Sequence, residues 1–132
     1  MNTRKKSNGK KNKDVIKFNV SISANVIIEK EEDLYIAHCL EFDIVADGRT
    51  EKEAMNNIFE SIVNHIDFCL AMGNIDKIEN PAPKKYWDKL KAIKRGKVYK
   101  RIKSPKIVQS ERPKLPFLND VNFECSKVYA DA

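Results

Sequence analysis

Thr50 and Glu53 frame a T-x-x-E at the head of an apolar series: Ala54, Met55, Ile58, Phe59, Ile62, Val63, Ile66, Cys69 and Leu70. Steps of three and four place these side chains on one broad stripe of a helix. The threonine hydroxyl is suited to accept an orphan N–H of the first turn, with Glu53 reaching back to the threonine amide. Glu51 and Glu53 add negative charge at the positive end of the helix, and Gly73 supplies a left-handed stop. The spacing predicts a helix of about 21 residues, roughly 32 Å at 1.5 Å each. Such a rod cannot bury its stripe alone, so another layer must lie against it.

That layer is legible upstream. Ile16, Phe18, Val20 and Ile22 alternate with Lys17, Asn19, Ser21 and Ser23, the pattern of a strand with one buried face. The apolar even positions continue through Ala24, Val26 and Ile28, with a bend expected near Asn25. Residues 29–33 form a charged turn, residues 34–40 a second strand and residues 43–46 a third. Asp47-Gly48 then reads as a reversal, because aspartate bonds to the backbone ahead and glycine tolerates positive φ. The expected fold class is α+β: an antiparallel sheet of three to four strands, β-β-β-α in order, in two layers with the helix on one face.

Beyond Gly73, Pro81 and Pro83 break regular structure. Residues 84–95 predict a second, short helix with Trp87 and Leu90 inward, joined by Tyr86 and Ile93, ending at Gly96. Pro105, Pro113 and Pro116 exclude a long helix further on. Ile107-Val108 and residues 121–129 read as strands or as extended segments docked on a partner. Phe117, Phe123 and Tyr129 are too apolar for a solvated tail, so either this chain or another covers them. The expected organisation is a basic arm over 1–14, an α+β domain over 15–83, and a basic helix with a partly extended tail over 84–132.

Charge follows these divisions. Residues 1–14 carry +5, residues 15–80 carry −8 from five Lys/Arg against thirteen Asp/Glu, residues 81–114 carry +11, and the remainder −2. An acidic globule with basic arms results, behind an overall pI near 9.2. Its core is suited to basic proteins and its arms to phosphates. The candidate nucleic-acid set is Lys84, Lys85, Lys89, Lys91, Lys94, Arg95, Lys97, Lys100, Arg101 and Lys103, with Tyr86, Trp87 and Tyr99 available to stack bases. The bland alternative for Trp87 is an anchor for its helix, and it is the favoured one. No helix-turn-helix pattern follows.

Cys39, Cys69 and Cys125 are widely spaced, form no C-x-x-C, and lie apart from both histidines, so zinc is not indicated and buried thiols in a reducing cytoplasm are expected. No apolar stretch follows the basic start and no window approaches a membrane span, so neither a signal peptide nor membrane association is expected. Glu41, Asp43 and Asp47 share strand parity, which would suit a metal or an acid/base pair, but a charged sheet face is favoured. His38 lies in a strand without a readable nucleophile, and His65 is expected to be exposed. Neither a catalytic residue nor a cofactor is expected.

Several of these residues together resemble the HicB-type antitoxin domain over residues 15–83. They are Tyr35-Ile36-Ala37, the link Cys39-Leu40-Glu41-Phe42-Asp43, then Gly48 and Thr50, Glu53-Ala54, the apolar helix, and Asn80-Pro81-Ala82-Pro83. The resemblance implies a partial ribonuclease-H-like fold without catalysis. It also implies a partner: a small basic HicA-like toxin, an RNA-targeting ribonuclease that the domain sequesters. The −8 core agrees with such a partner. The basic arm is additional to the family pattern, and the tail shows neither of the DNA-binding patterns common in it. The family-motif positions are Cys39, Leu40, Asp43, Gly48, Thr50, Glu53 and Ala54. A solitary HicB-like binding module is the variant of this reading. A nucleic-acid-binding accessory protein using residues 84–114 is the alternative, and a magnesium-dependent nuclease built on Glu41, Asp43 or Asp47 the least favoured. Exposed sheet edges favour a homo-oligomer.

Overall fold

Val26, Ile28, Ala37 and Cys39 are buried together because the first two strands fold back on each other. The computed structural model describes residues 18–96, 100–103, 107–108 and 117–130. Strand β1 (Phe18–Glu31) runs unbroken past Asn25 and pairs antiparallel with β2 (Leu34–Cys39), from Val26 opposite Cys39 to Glu31 opposite Leu34. The tight reversal between them uses Glu32 at φ 53°. Strand β3 (Ile44–Gly48) pairs antiparallel with β2 and forms one edge of the sheet.

Helix α1 (Glu51–Ala71) follows, with Thr50 extended at its N-cap. The Glu53 amide donates to Thr50 Oγ1 at 3.0 Å, while Glu53 Oε1 accepts from the amide of Arg49 at 2.6 Å. The reciprocal bond therefore falls one residue before the expected threonine amide. At the other end Gly73 sits at φ 72°. Its amide donates to the Leu70 carbonyl and that of Asn74 to the Cys69 carbonyl, which together make a Schellman closure. Gly48 is not the positive-φ turn glycine that its sequence suggests. It ends β3 beneath α1, where a Cβ would lie 2.5 Å from the Ala54 nitrogen. Close approach, not turn geometry, demands the glycine.

The sheet is mixed. Strand β6 (Leu118–Tyr129) lies parallel to β1 along almost its whole length, from Asn19 opposite Asp120 to Ile28 opposite Tyr129. Strands β4 (Lys100–Lys103) and β5 (Ile107–Val108) pair antiparallel with β6, giving the order β3-β2-β1-β6-β4 with β5 also on β6. The expected antiparallel sheet is thus corrected at its centre. The expected tail supplies a central strand, and Phe123 packs against Phe59 at 4.7 Å between ring centroids.

Both faces of the sheet carry cores. On one, Ile58, Ile62, Val63 and Ile66 of α1 meet Ile22, Val26, Ile28, Val121 and Phe123. On the other, Leu90 of α2 (Lys84–Gly96) joins Ile27, Leu40, Ala82 and Val128, with Tyr86, Trp87 and Ile93 alongside. Layers run α1, sheet, α2, three where two were expected. Because successive strand residues face opposite sides, Ile27 turns to α2 while its neighbours Val26 and Ile28 turn to α1.

Candidate functional site

The acidic trio does not converge. Glu41 spends both oxygens on Asn25, one on the backbone amide and one on the side-chain amide, each at 2.7 Å. This clamp ties the end of β2 to the middle of β1. Asp43 stands at φ 52° and meets His38 Nε2 at 2.8 Å. Asp47 is exposed, and its carbonyl accepts from Asn57 Nδ2 at 2.8 Å. Their shared parity fails for a geometric reason: β2 ends at Cys39 and β3 starts at Ile44, so positions 41 and 43 lie in a turn. Among the described residues no group of three His, Cys, Asp or Glu is placed to hold a metal ion.

The histidines are structural in their contacts. His38 meets the Tyr86 ring edge-on at 4.7 Å, which links β2 to α2. His65 is half-buried, not exposed, and its Nε2–H donates to the Ile78 carbonyl at 2.9 Å. The chain doubles back after Gly73 through one 3-10 turn (Ile75–Lys77), which brings that carbonyl over the helix. The three cysteines are free and buried. Burial first, then the Glu41 charge, pushes the Cys39 thiol up to about 12. Burial likewise pushes Cys125 up to about 12. Neither is a ready thiolate at neutral pH.

The basic set is divided between two elements. On α2, Lys84 pairs with Asp88 at 2.9 Å, Lys85 lies 5.0 Å from the Tyr86 ring centroid, and Lys89 pairs with Glu29 of β1. Lys94 Nζ reaches Asn25 Oδ1 at 3.4 Å, and Lys91 is exposed. Trp87 is turned inward, with its indole N–H on the Ala82 carbonyl at 3.0 Å, so it anchors the helix. Arg95 belongs to α2, and Lys100, Arg101 and Lys103 to β4, where they stand opposite Lys127, Ser126 and Glu124. Lys97, Tyr99 and the arm over 1–14 lie outside the described residues.

The seven positions that carry the resemblance noted in the sequence meet at the β2–β3–α1 junction. Cys39 and Ala54 are fully buried in the core between the sheet and α1, and Leu40 is fully buried in the core under α2. Gly48, Thr50 and Glu53 set where α1 starts, and Asp43 holds His38.

Sequence reasoning missed the ties between α1 and β6. Asp67, buried within the apolar stripe, accepts the Phe117 amide at 2.9 Å. Glu51 pairs with Lys127 and accepts the Tyr129 hydroxyl at 2.8 Å. An acid beside Ile66 on the inward side of a helix was the one available signal, since a buried carboxylate requires a donor.

Two surfaces are left uncovered by the described residues. Phe68, Met72 and Ile75 stand exposed around the end of α1. A groove of about 250 Å³ follows the first half of β1, with Val20, Ile22, Phe42, Ile66, Leu70 and Ile78 among its apolar walls and Glu41 and Glu79 as its acids. No helix of the described residues is long and apolar enough to cross a membrane. No protein-family model, curated protein or solved structure matches this chain.

Proposed function

We propose that this chain is a non-catalytic, HicB-like binding module, an antitoxin or a solitary relative of one, that sequesters a small basic HicA-like RNA-targeting toxin. The observation that carries the reading is how the acidic unit uses its carboxylates. Residues 15–80 hold a net −8, and Glu41 and Asp43 are fixed in hydrogen bonds instead of converging on a reaction centre. Negative charge held in place by hydrogen bonds favours recognition of a basic surface and speeds encounter with it. The β-β-β-α order, with Gly48, Thr50 and Glu53 at the start of α1, supports a partial ribonuclease-H-like assignment for this unit.

Co-expression with a small basic protein encoded by the neighbouring gene tests the reading. A stable complex and restored growth are expected. A partner that stays toxic and elutes alone would end it.

Nucleic-acid binding is the second reading, favoured by the outward lysines of α2. Lys91 is exposed, and the Lys84–Asp88 pair is solvent-facing. A gel-shift titration over salt decides it. Charge reversal at Lys84, Lys85 and Lys91 should flatten the salt slope while leaving Trp87 and Leu90 in place.

A further inference from the structure

We propose that the edge of β1 at Ser21 and Ser23, which no strand of the described residues pairs, accepts an extended, basic segment of a partner protein as an added strand. This names the docking surface of the binding module and rests on that reading. Strand β2 covers β1 only from Val26 to Glu31. Along the earlier residues the β6 side is paired, and no strand of the described residues pairs the other side.

Backbone parity shows which groups face that opening. The carbonyl of Asn25 accepts from Leu40, and its amide donates to Glu41, so residue 25 points away from β6. Even positions point toward β6, as the bonds of Phe18 to Phe117 and of Ile28 to Ala130 establish. A strand repeats its direction every second residue, so the N–H and C=O of Ser21 and Ser23 aim into the gap. The usual guards of an edge, a lysine, a proline or a bulge, are missing from residues 20–24. The one register shift falls between Phe18 and Asn19.

The groove specifies what it would accept. On the α1 side its floor is apolar, with Val20, Ile22, Phe42, Ile66, Leu70 and Ile78. On the opposite side Ser21 and Ser23 lie next to Asn122 and Glu124, a polar shelf that α2 does not cover. An added strand would therefore place apolar side chains on one face and polar ones on the other. Among the described residues, Glu41 and Glu79 are the only charged ones lining the groove, so the incoming segment should carry lysine or arginine. Main-chain bonds would supply affinity and the alternating pockets specificity.

The experiment uses the full chain and a synthetic capped peptide, Lys-Val-Thr-Val-Lys-Val-Thr, followed by amide hydrogen exchange. At about 1 mM peptide, the Ser21 and Ser23 amides should exchange at least about tenfold more slowly. Replacing both peptide lysines by glutamate should remove the protection. Ser21→Pro with Ser23→Pro should abolish binding at an unchanged melting temperature, because proline is tolerated where the lost N–H faces outward. Three outcomes overturn the proposal. The first is a peptide without effect on these amides. The second is binding that the prolines leave intact. The third is protection already present without peptide, which would place residues 1–17 or, if dependent on protein concentration, a second copy in the gap. A toxin-like partner that bound the wild type and the proline variant equally would end this proposal and leave the binding-module reading standing.

Discussion

Gly48 and Ala54 approach so closely that a side-chain carbon on the glycine would lie 2.5 Å from the Ala54 nitrogen, with Glu53 Cβ at 2.8 Å. The near atoms belong to the first turn of α1, so relief requires the helix start to move away from β3. Gly48→Ala should cost about 1–3 kcal/mol, as overpacking does elsewhere. A lowered urea midpoint with an unchanged slope is the expected result, and an unaltered midpoint would mean that the helix start yields freely.

The same helix start depends on Thr50. Its Oγ1 accepts the Glu53 amide at 3.0 Å, and no other cap serves that donor. Thr50→Ala should cost about 1 kcal/mol, and Thr50→Asp, which keeps an accepting oxygen, only a fraction of that. Equal losses in the two variants would assign the effect to the threonine methyl and not to the cap.

Alkaline pH should weaken the fold from about pH 9 upward. The unfolded thiols ionise near 9.0, whereas Cys39 and Cys125 in the folded chain keep their protons to about 12. The folded state then holds more protons than the unfolded one, so stability is complete below the unfolded value and declines as pH rises toward the folded one. Lys127 acts in the same direction. Burial lowers its pKa, but the bond and charge of Glu51 outweigh burial and raise it above the usual lysine value. Urea midpoints between about pH 8 and about pH 11 should fall, and less steeply in a Cys39→Ala, Cys125→Ala protein. Both thiols should resist alkylation until the chain unfolds.

Trp87 is the single tryptophan and lies half-buried on the inner side of α2, so its fluorescence reports whether that helix is docked. Leu90 is 5% exposed within the smaller core. Leu90→Ala should cost about 2–5 kcal/mol and red-shift the emission at denaturant concentrations where α1 keeps its circular dichroism. Loss of both signals together would mean that the two cores melt as one.

Local chemistry was legible in the chain and distant pairing was not. The cap at Thr50, the stop at Gly73 and the alternation of β1 each rest on residues a few positions apart, and all are found in the structure. Residues 121–129 read as a strand or as an extended segment docked on a partner, but nothing nearby in sequence indicated β1 as their neighbour. Leu40 and Val128 are single apolar residues whose shared burial under α2 appears only once the strands are assembled. The shared parity of the carboxylates failed for a related reason. Closeness in sequence at Glu41 and Asp43 was undone by one positive φ at Asp43, which turns that side chain toward His38.

Strands β1 and β6 come from opposite ends of the described chain, yet they lie side by side at the centre of the sheet. During synthesis the meander and α1 emerge from the ribosome long before the strand that closes their core. Ile22, Ala24 and Val26 must wait with one flank unsealed. Closing a loop that spans most of the chain makes this a slow, late step. A nascent chain stalled ahead of Leu118 would thus expose a sticky intermediate, for which a chaperone or an early-arriving partner would have the most to offer.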